Sequence, residues 1–179
     1  MRIADVDFIL IPEWLAQSAA CKPDDYHWIS RWHRNFATAN WLDAAQETPS
    51  NGLLAQARSQ TRPTILVTHG HGVDVILEAG AALGACPIVG AFVVAPSPSP
   101  LLFPSVGEGL LAMDFPSVII SPDNHPDFPQ DDAQRLASQL GGHFVAAGPT
   151  QRIDSSSGQG PWPEGLMRLG WFLKQLKVH

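Results

Sequence analysis

Apolar residues fall into short, near-continuous runs, separated by stretches in which they recur every three or four positions. Asp7-Phe8-Ile9-Leu10-Ile11, closed by Pro12, predicts a buried first strand. Ile65 to Thr68, Ile88 to Ala95, Ser117 to Ile120 and Phe144 to Ala147 predict the third to sixth strands, with a shorter, weaker second at Phe36 to Trp41. Between them, Trp28, Ile29 and Trp32 share one face of a helix that opens on Asp24 and Asp25. Leu42 to Ala57 reads as mostly helical, divided by Thr48-Pro49-Ser50-Asn51-Gly52. Asp131 to Leu140 is a helix closed by Gly141-Gly142, and Pro163 opens a last helix carrying Leu166, Leu169, Phe172, Leu173 and Leu176. Strands without polar alternation, alternating with helices, predict an α/β protein with a doubly wound, mostly parallel sheet of about six strands. Ligands of such sheets meet the loops that leave the carboxyl ends of strands. Three of these loops, 68–72, 121–129 and 148–162, carry the unusual residues.

The third strand ends at Thr68-His69-Gly70-His71-Gly72, and Val73 to Ala79 continues as a helix. Strand, tight turn and helix in this order resemble the nucleophile elbow of the α/β-hydrolases, where the turn lifts a serine above the sheet. Here a glycine, Gly70, stands in the serine's place.

The 179 residues suit one domain, residues 1–179, and a net charge of −6 argues against nucleic acid, which needs a basic patch. Cys21 and Cys86 lie far apart in apolar company and read as thiols of a reducing cytoplasm. No run approaches a membrane span and the acidic N-terminus does not suit a signal peptide, so a soluble cytoplasmic protein is expected, without a membrane partner. Neither a cofactor nor a resident metal is expected.

Pro12-x-Trp14, His27-Trp28, Trp32, the elbow and above all Ser157-Gly158-Gln159-Gly160-Pro161-Trp162-Pro163-Glu164-Gly165 resemble the small YdeN-type serine hydrolases, the group that includes retinoblastoma-binding protein nine. The similarity covers nearly the whole chain. It implies a lidless α/β-hydrolase fold with strand order 2-1-3-4-5-6 and a Ser-Asp-His triad acting on small esters or amides. Carried over residue by residue, the family's serine falls on Gly70 and its histidine on Arg152. Its acid falls on Asn124, with Asp123 adjacent and His125 selected by a one-residue shift. The glycine that often follows the proline after the first strand is Glu13.

Glycine cannot form an acyl-enzyme, arginine cannot take a proton from a hydroxyl near neutral pH, and asparagine cannot supply the charge that stabilises an imidazolium. The expectation is a pseudo-hydrolase whose vestigial cleft, formed by Glu13, Trp14, Gly70, His71, Gly72 and Arg152, holds a small anion or a protein partner. In the bland alternative Arg152 pairs with Asp123 or Asp154. Two enzymatic readings stand beside it: a displaced hydrolase with His71 as base and Asp123 as its orienter, and a metal site built on His69, His71, Asp123 and His125. Trp162 is expected to plug its loop against the last helix.

Overall fold

A computed structural model describes residues 1–13, 23–43, 47–102 and 113–176. Six strands form one parallel sheet in the order β2-β1-β3-β4-β5-β6. They are β1 (Asp7–Ile11), β2 (Ala39–Trp41), β3 (Thr64–His69), β4 (Ile88–Val94), β5 (Ser117–Ser121) and β6 (His143–Ala146). The helices are α1 (Trp28–Asn35), α2 (Pro49–Ser59), α3 (Gly72–Ala79), α4 (Gln130–Gln139) and α5 (Pro163–Gln175).

The pleat sorts the apolar runs into two cores. Phe8, Leu10, Ile65, Val67, Phe92 and Val94 face α1 and α5 through Trp28, Trp32, Leu169 and Phe172. Ile9, Ile11, Leu66 and Val93 face α2, α3 and α4 through Leu53, Val73, Ile76 and Leu136. Strands buried on both faces are the physical reason the sequence shows runs rather than alternation.

Two helix starts differ from the sequence expectation. The Thr48-Pro49-Ser50-Asn51-Gly52 stretch begins α2 instead of dividing a longer helix: the Thr48 hydroxyl accepts from the Asn51 N–H at 3.2 Å and Pro49 takes the first turn. Proline there loses no hydrogen bond, because first-turn N–H groups have no intrahelical partner. Asp24 does not lie in α1; its carboxylate closes the preceding turn, accepting from the N–H groups of Tyr26 and His27 at 2.8 and 3.0 Å. His27 caps the helix, its Nδ1 accepting from the Ile29 N–H at 3.3 Å.

Trp162 is buried at the start of α5, in the left-handed region at φ 37°. Its ring lies 4.9 Å from Trp28 and 6.2 Å from Trp32, centroid to centroid. A Cβ on Gly165 would stand 2.1 Å from that ring, so the glycine is what lets the indole fold under the helix. No described helix is long and apolar enough to cross a membrane.

Candidate active site

The elbow forms where β3 hands over to α3. Gly70 adopts φ +57°, a left-handed conformation that glycine tolerates, and its N–H donates to the Val94 carbonyl at 3.2 Å. Gly72 is needed for a different reason. A Cβ there would lie 2.4 Å from the Ile11 carbonyl oxygen, so only a bare backbone lets α3 start against the end of β1.

Glu13 leaves β1 and lies over Gly70. A Cβ built on Gly70 would stand 2.9 Å from both Cγ and Cδ of Glu13, and 3.1 Å from its Cβ. The Glu13 carboxylate also accepts a long hydrogen bond from the buried Ser97 hydroxyl, at 3.4 Å. The space above the elbow is therefore taken by an acidic side chain. Trp14 lies outside the described residues.

Loops after β5 and β6 meet beside the elbow. Asn124 Oδ1 accepts from the Gln151 N–H at 2.8 Å. His69 Nε2 lies 2.9 Å from the Arg152 carbonyl, and burial holds the ring's pKa low, so the neutral ring donates to that oxygen. The Arg152 side chain turns to Asp127, with which it forms an ion pair; it does not pair with Asp123 or Asp154. Asp154 instead accepts from the Ser156 and Ser157 hydroxyls, at 2.7 and 2.8 Å.

The remaining candidates are placed apart. His71 Nδ1 is 3.5 Å from Asp74, whose carboxylate also accepts from Ser99 at 2.7 Å. Burial raises the Asp74 pKa against the opposing effect of Ser99 and His71. Asp123 sits on the surface, accepting from Gln130 at 3.5 Å, so the His71–Asp123 pairing is not formed. His125 is buried and spends Nδ1 as acceptor for the N–H groups of Asp127 and Phe128, at 3.2 and 2.9 Å. Its neutral ring then carries its proton on Nε2 and has no free lone pair for a base. Among the described residues no three His, Cys, Asp or Glu side chains are placed to share a metal ion. Cys86 is half-buried ahead of β4, at the opposite end of the sheet, and Cys21 lies outside the described residues.

Sequence reasoning missed Asp74, Asp127 and the placement of the Glu13 side chain. Asp74 carried a signal, since His71 and Asp74 are three apart at a helix start. Asp127 and Glu13 did not, because each meets its partner across a junction of two loops.

Burial gives the site a pH dependence. His27 is pushed down to about 3, by desolvation first and then by His69, and burial lowers His69 and His125 in the same direction. Their folded pKa values lie below the unfolded value, so the unfolded chain binds more protons as the pH drops. The stability that neutral burial of these rings gives is therefore complete above about pH 7 and declines as pH falls below about 6.5, for His27 all the way toward its folded value of about 3. Urea midpoints should fall between pH 7.5 and 5, and His27→Asn, which keeps a capping side chain, should flatten the decline. An unchanged midpoint would count against neutral burial.

A sequence model of the serine hydrolase family matches residues 9–171. Among solved structures, a provisionally assigned YdeN-like hydrolase from Pectobacterium atrosepticum is 23% identical, with TM-score 0.76 over 95% of this chain and 92% of that one. The ydeN gene product of B. subtilis is 14% identical, with TM-score 0.64 over 96% and 100% of the two chains. An esterase domain from Rhodothermus marinus is 12% identical, with TM-score 0.65 over 94% and 86%. A search of curated proteins finds no match. At these identities the structures speak for the fold, which they share with this chain over nearly its whole length. With the match across residues 9–171, the chain belongs to the serine hydrolase family and has its α/β-hydrolase fold.

Proposed function

We propose that this chain is a non-hydrolytic member of its family, one that binds or scaffolds instead of turning over an ester or amide. The observation that carries the reading is the elbow, where Gly70 has no side chain to attack with and Glu13 fills the adjoining space. Asn124 accepts from the Gln151 N–H and the Arg152 carbonyl meets His69, and neither an asparagine nor an arginine side chain supplies the base or its orienter. The reading with Asp123 as orienter of His71 gains no support, because His71 faces Asp74 and Asp123 lies with Gln130, and the Nδ1 of His125 is committed to backbone.

The charges bear on what the cleft holds. A small anion would meet the Glu13 carboxylate over the elbow and would have to displace Asp127 from Arg152. An occupant that brings its own cation, or the surface of a protein partner, suits these charges better than a free anion. Fluorophosphonate labelling and p-nitrophenyl acetate hydrolysis test the inactive reading. No labelled band and hydrolysis at the buffer rate are expected. A band that disappears in one particular serine variant, Ser97→Ala for instance, would overturn it.

A further inference from the structure

The strongest unassigned surface lies where α5 covers the edge of the sheet. That helix buries Leu169, Phe172 and Leu173, yet turns Met167 and Trp171 outward, 74% and 43% exposed. Between these side chains and edge strand β6 runs an open groove of about 390 Å³, lined by Val145, Glu164, Met167, Arg168 and Trp171. The groove is firmly walled: the Trp171 ring stands edge-on to His143 at 6.3 Å, and Arg168 Nη2 donates to the Ala146 carbonyl at 3.1 Å. Gly170 flanks the exposed face beside Lys174, away from the groove, and a Cβ there would meet nothing within 4 Å. A glycine inside a helix costs about 1 kcal/mol relative to alanine. At this position it leaves the backbone bare for close approach.

We infer that this face is a contact between two copies of the chain, formed by α5 packing antiparallel on itself across a two-fold axis at the level of Leu169. The argument is the order of side chains along the helix. Exposed Glu164 and exposed Lys174 each lie five residues from Leu169, and Met167 and Trp171 each lie two. In an antiparallel helix pair centred there, Glu164 meets Lys174 of the second copy and Met167 meets its Trp171. The four positions fall within a narrow arc of the helix, so they point the same way. An isologous contact must be self-complementary, and this stripe is: acid opposite base at both ends, thioether opposite indole on either side of the axis. Each Met167 then enters the groove beside Trp171 of the other copy.

The helix is about 20 Å long, and a contact of that length buries less than the roughly 800 Å² per partner of a standard interface, so association is expected in the micromolar range. Sedimentation velocity from about 5 to about 300 µM brackets that range. The mass should rise with concentration from the monomer's 19.3 kDa toward that of a dimer. Glu164→Lys should raise Kd at least ~10-fold by setting lysine against lysine, and Glu164→Lys with Lys174→Glu should return it to within about 3-fold. Met167→Glu should abolish association, with thermal melts confirming that each variant is folded. A monomer at every concentration would overturn the inference and leave the groove to another protein or a membrane. Association that ignores Met167→Glu, or that the charge reversal does not rescue, would overturn it equally.

Discussion

Changing Glu13→Gly, Gly70→Ser, Asn124→Asp and Arg152→His together is expected to yield ester hydrolysis at least ~100-fold above the wild-type background, well short of the roughly million-fold worth of an intact triad. The same triple change with Glu13 retained should stay near background. The scaffold for this result is already in place. The elbow keeps its left-handed conformation at Gly70, and a serine there costs roughly 1–3 kcal/mol of backbone strain. Position 124 is held beside 151, and the backbone at 152 is pinned by His69, so the substitutions alter side chains on an existing framework. Removing Arg152 releases Asp127 from an ion pair in which the side chains are 42% and 46% exposed, a loss of at most about 1 kcal/mol. Glu13 is the obstacle, since its Cγ and Cδ would lie 2.9 Å from the new serine's Cβ. Activity of p-nitrophenyl acetate hydrolysis, read beside a circular-dichroism melt, separates the outcomes. A folded, inert four-residue variant would mean that positions 70, 124 and 152 do not form one site.

The strands were legible because burial on both faces writes itself as uninterrupted apolar runs, as at Phe8 to Ile11 and Ile65 to Val67. The start of α2 was not, because Thr48-Pro49-Ser50-Asn51-Gly52 has the composition of a break and of a capped first turn alike. At the site, Gly70 and Gly72 were legible from the turn pattern, and the family resemblance pointed to Asn124, which meets the Gln151 backbone, and to Arg152, whose side chain turns to Asp127. The destination of two long side chains was not. Glu13 reaches across from the end of β1 to the end of β3, and Arg152 from the loop after β6 to the loop after β5. Sequence spacing carries no information about such contacts, because they depend on how loops pack above the sheet and not on the period of any element.

Replacing Trp28 by alanine should destabilise the fold by about 3–5 kcal/mol, and the argument extends to a sharper comparison between two tryptophans one helical turn apart. Trp28 and Trp32 are both buried on the inner face of α1, with ring centroids 4.8 Å apart. Trp28 Nε1 donates to the Ile153 carbonyl at 2.8 Å. Ile153 is fully buried and sits at φ 51°, a conformation that a β-branched residue adopts only under constraint. The indole thus ties the loop that follows β6 to α1. Trp32 Nε1 is buried without a partner among the described residues. Trp28→Phe keeps the ring but strands the Ile153 carbonyl, at a cost of about 1–3 kcal/mol. Trp32→Phe gives up some packing yet removes an unsatisfied donor, so the two terms oppose and the net loss should be smaller. Urea denaturation of the two variants reads the difference directly, and limited proteolysis should show faster cleavage in residues 148–162 for Trp28→Phe alone. Equal losses, or the reverse order, would mean that the Trp28–Ile153 hydrogen bond does not hold this loop in place.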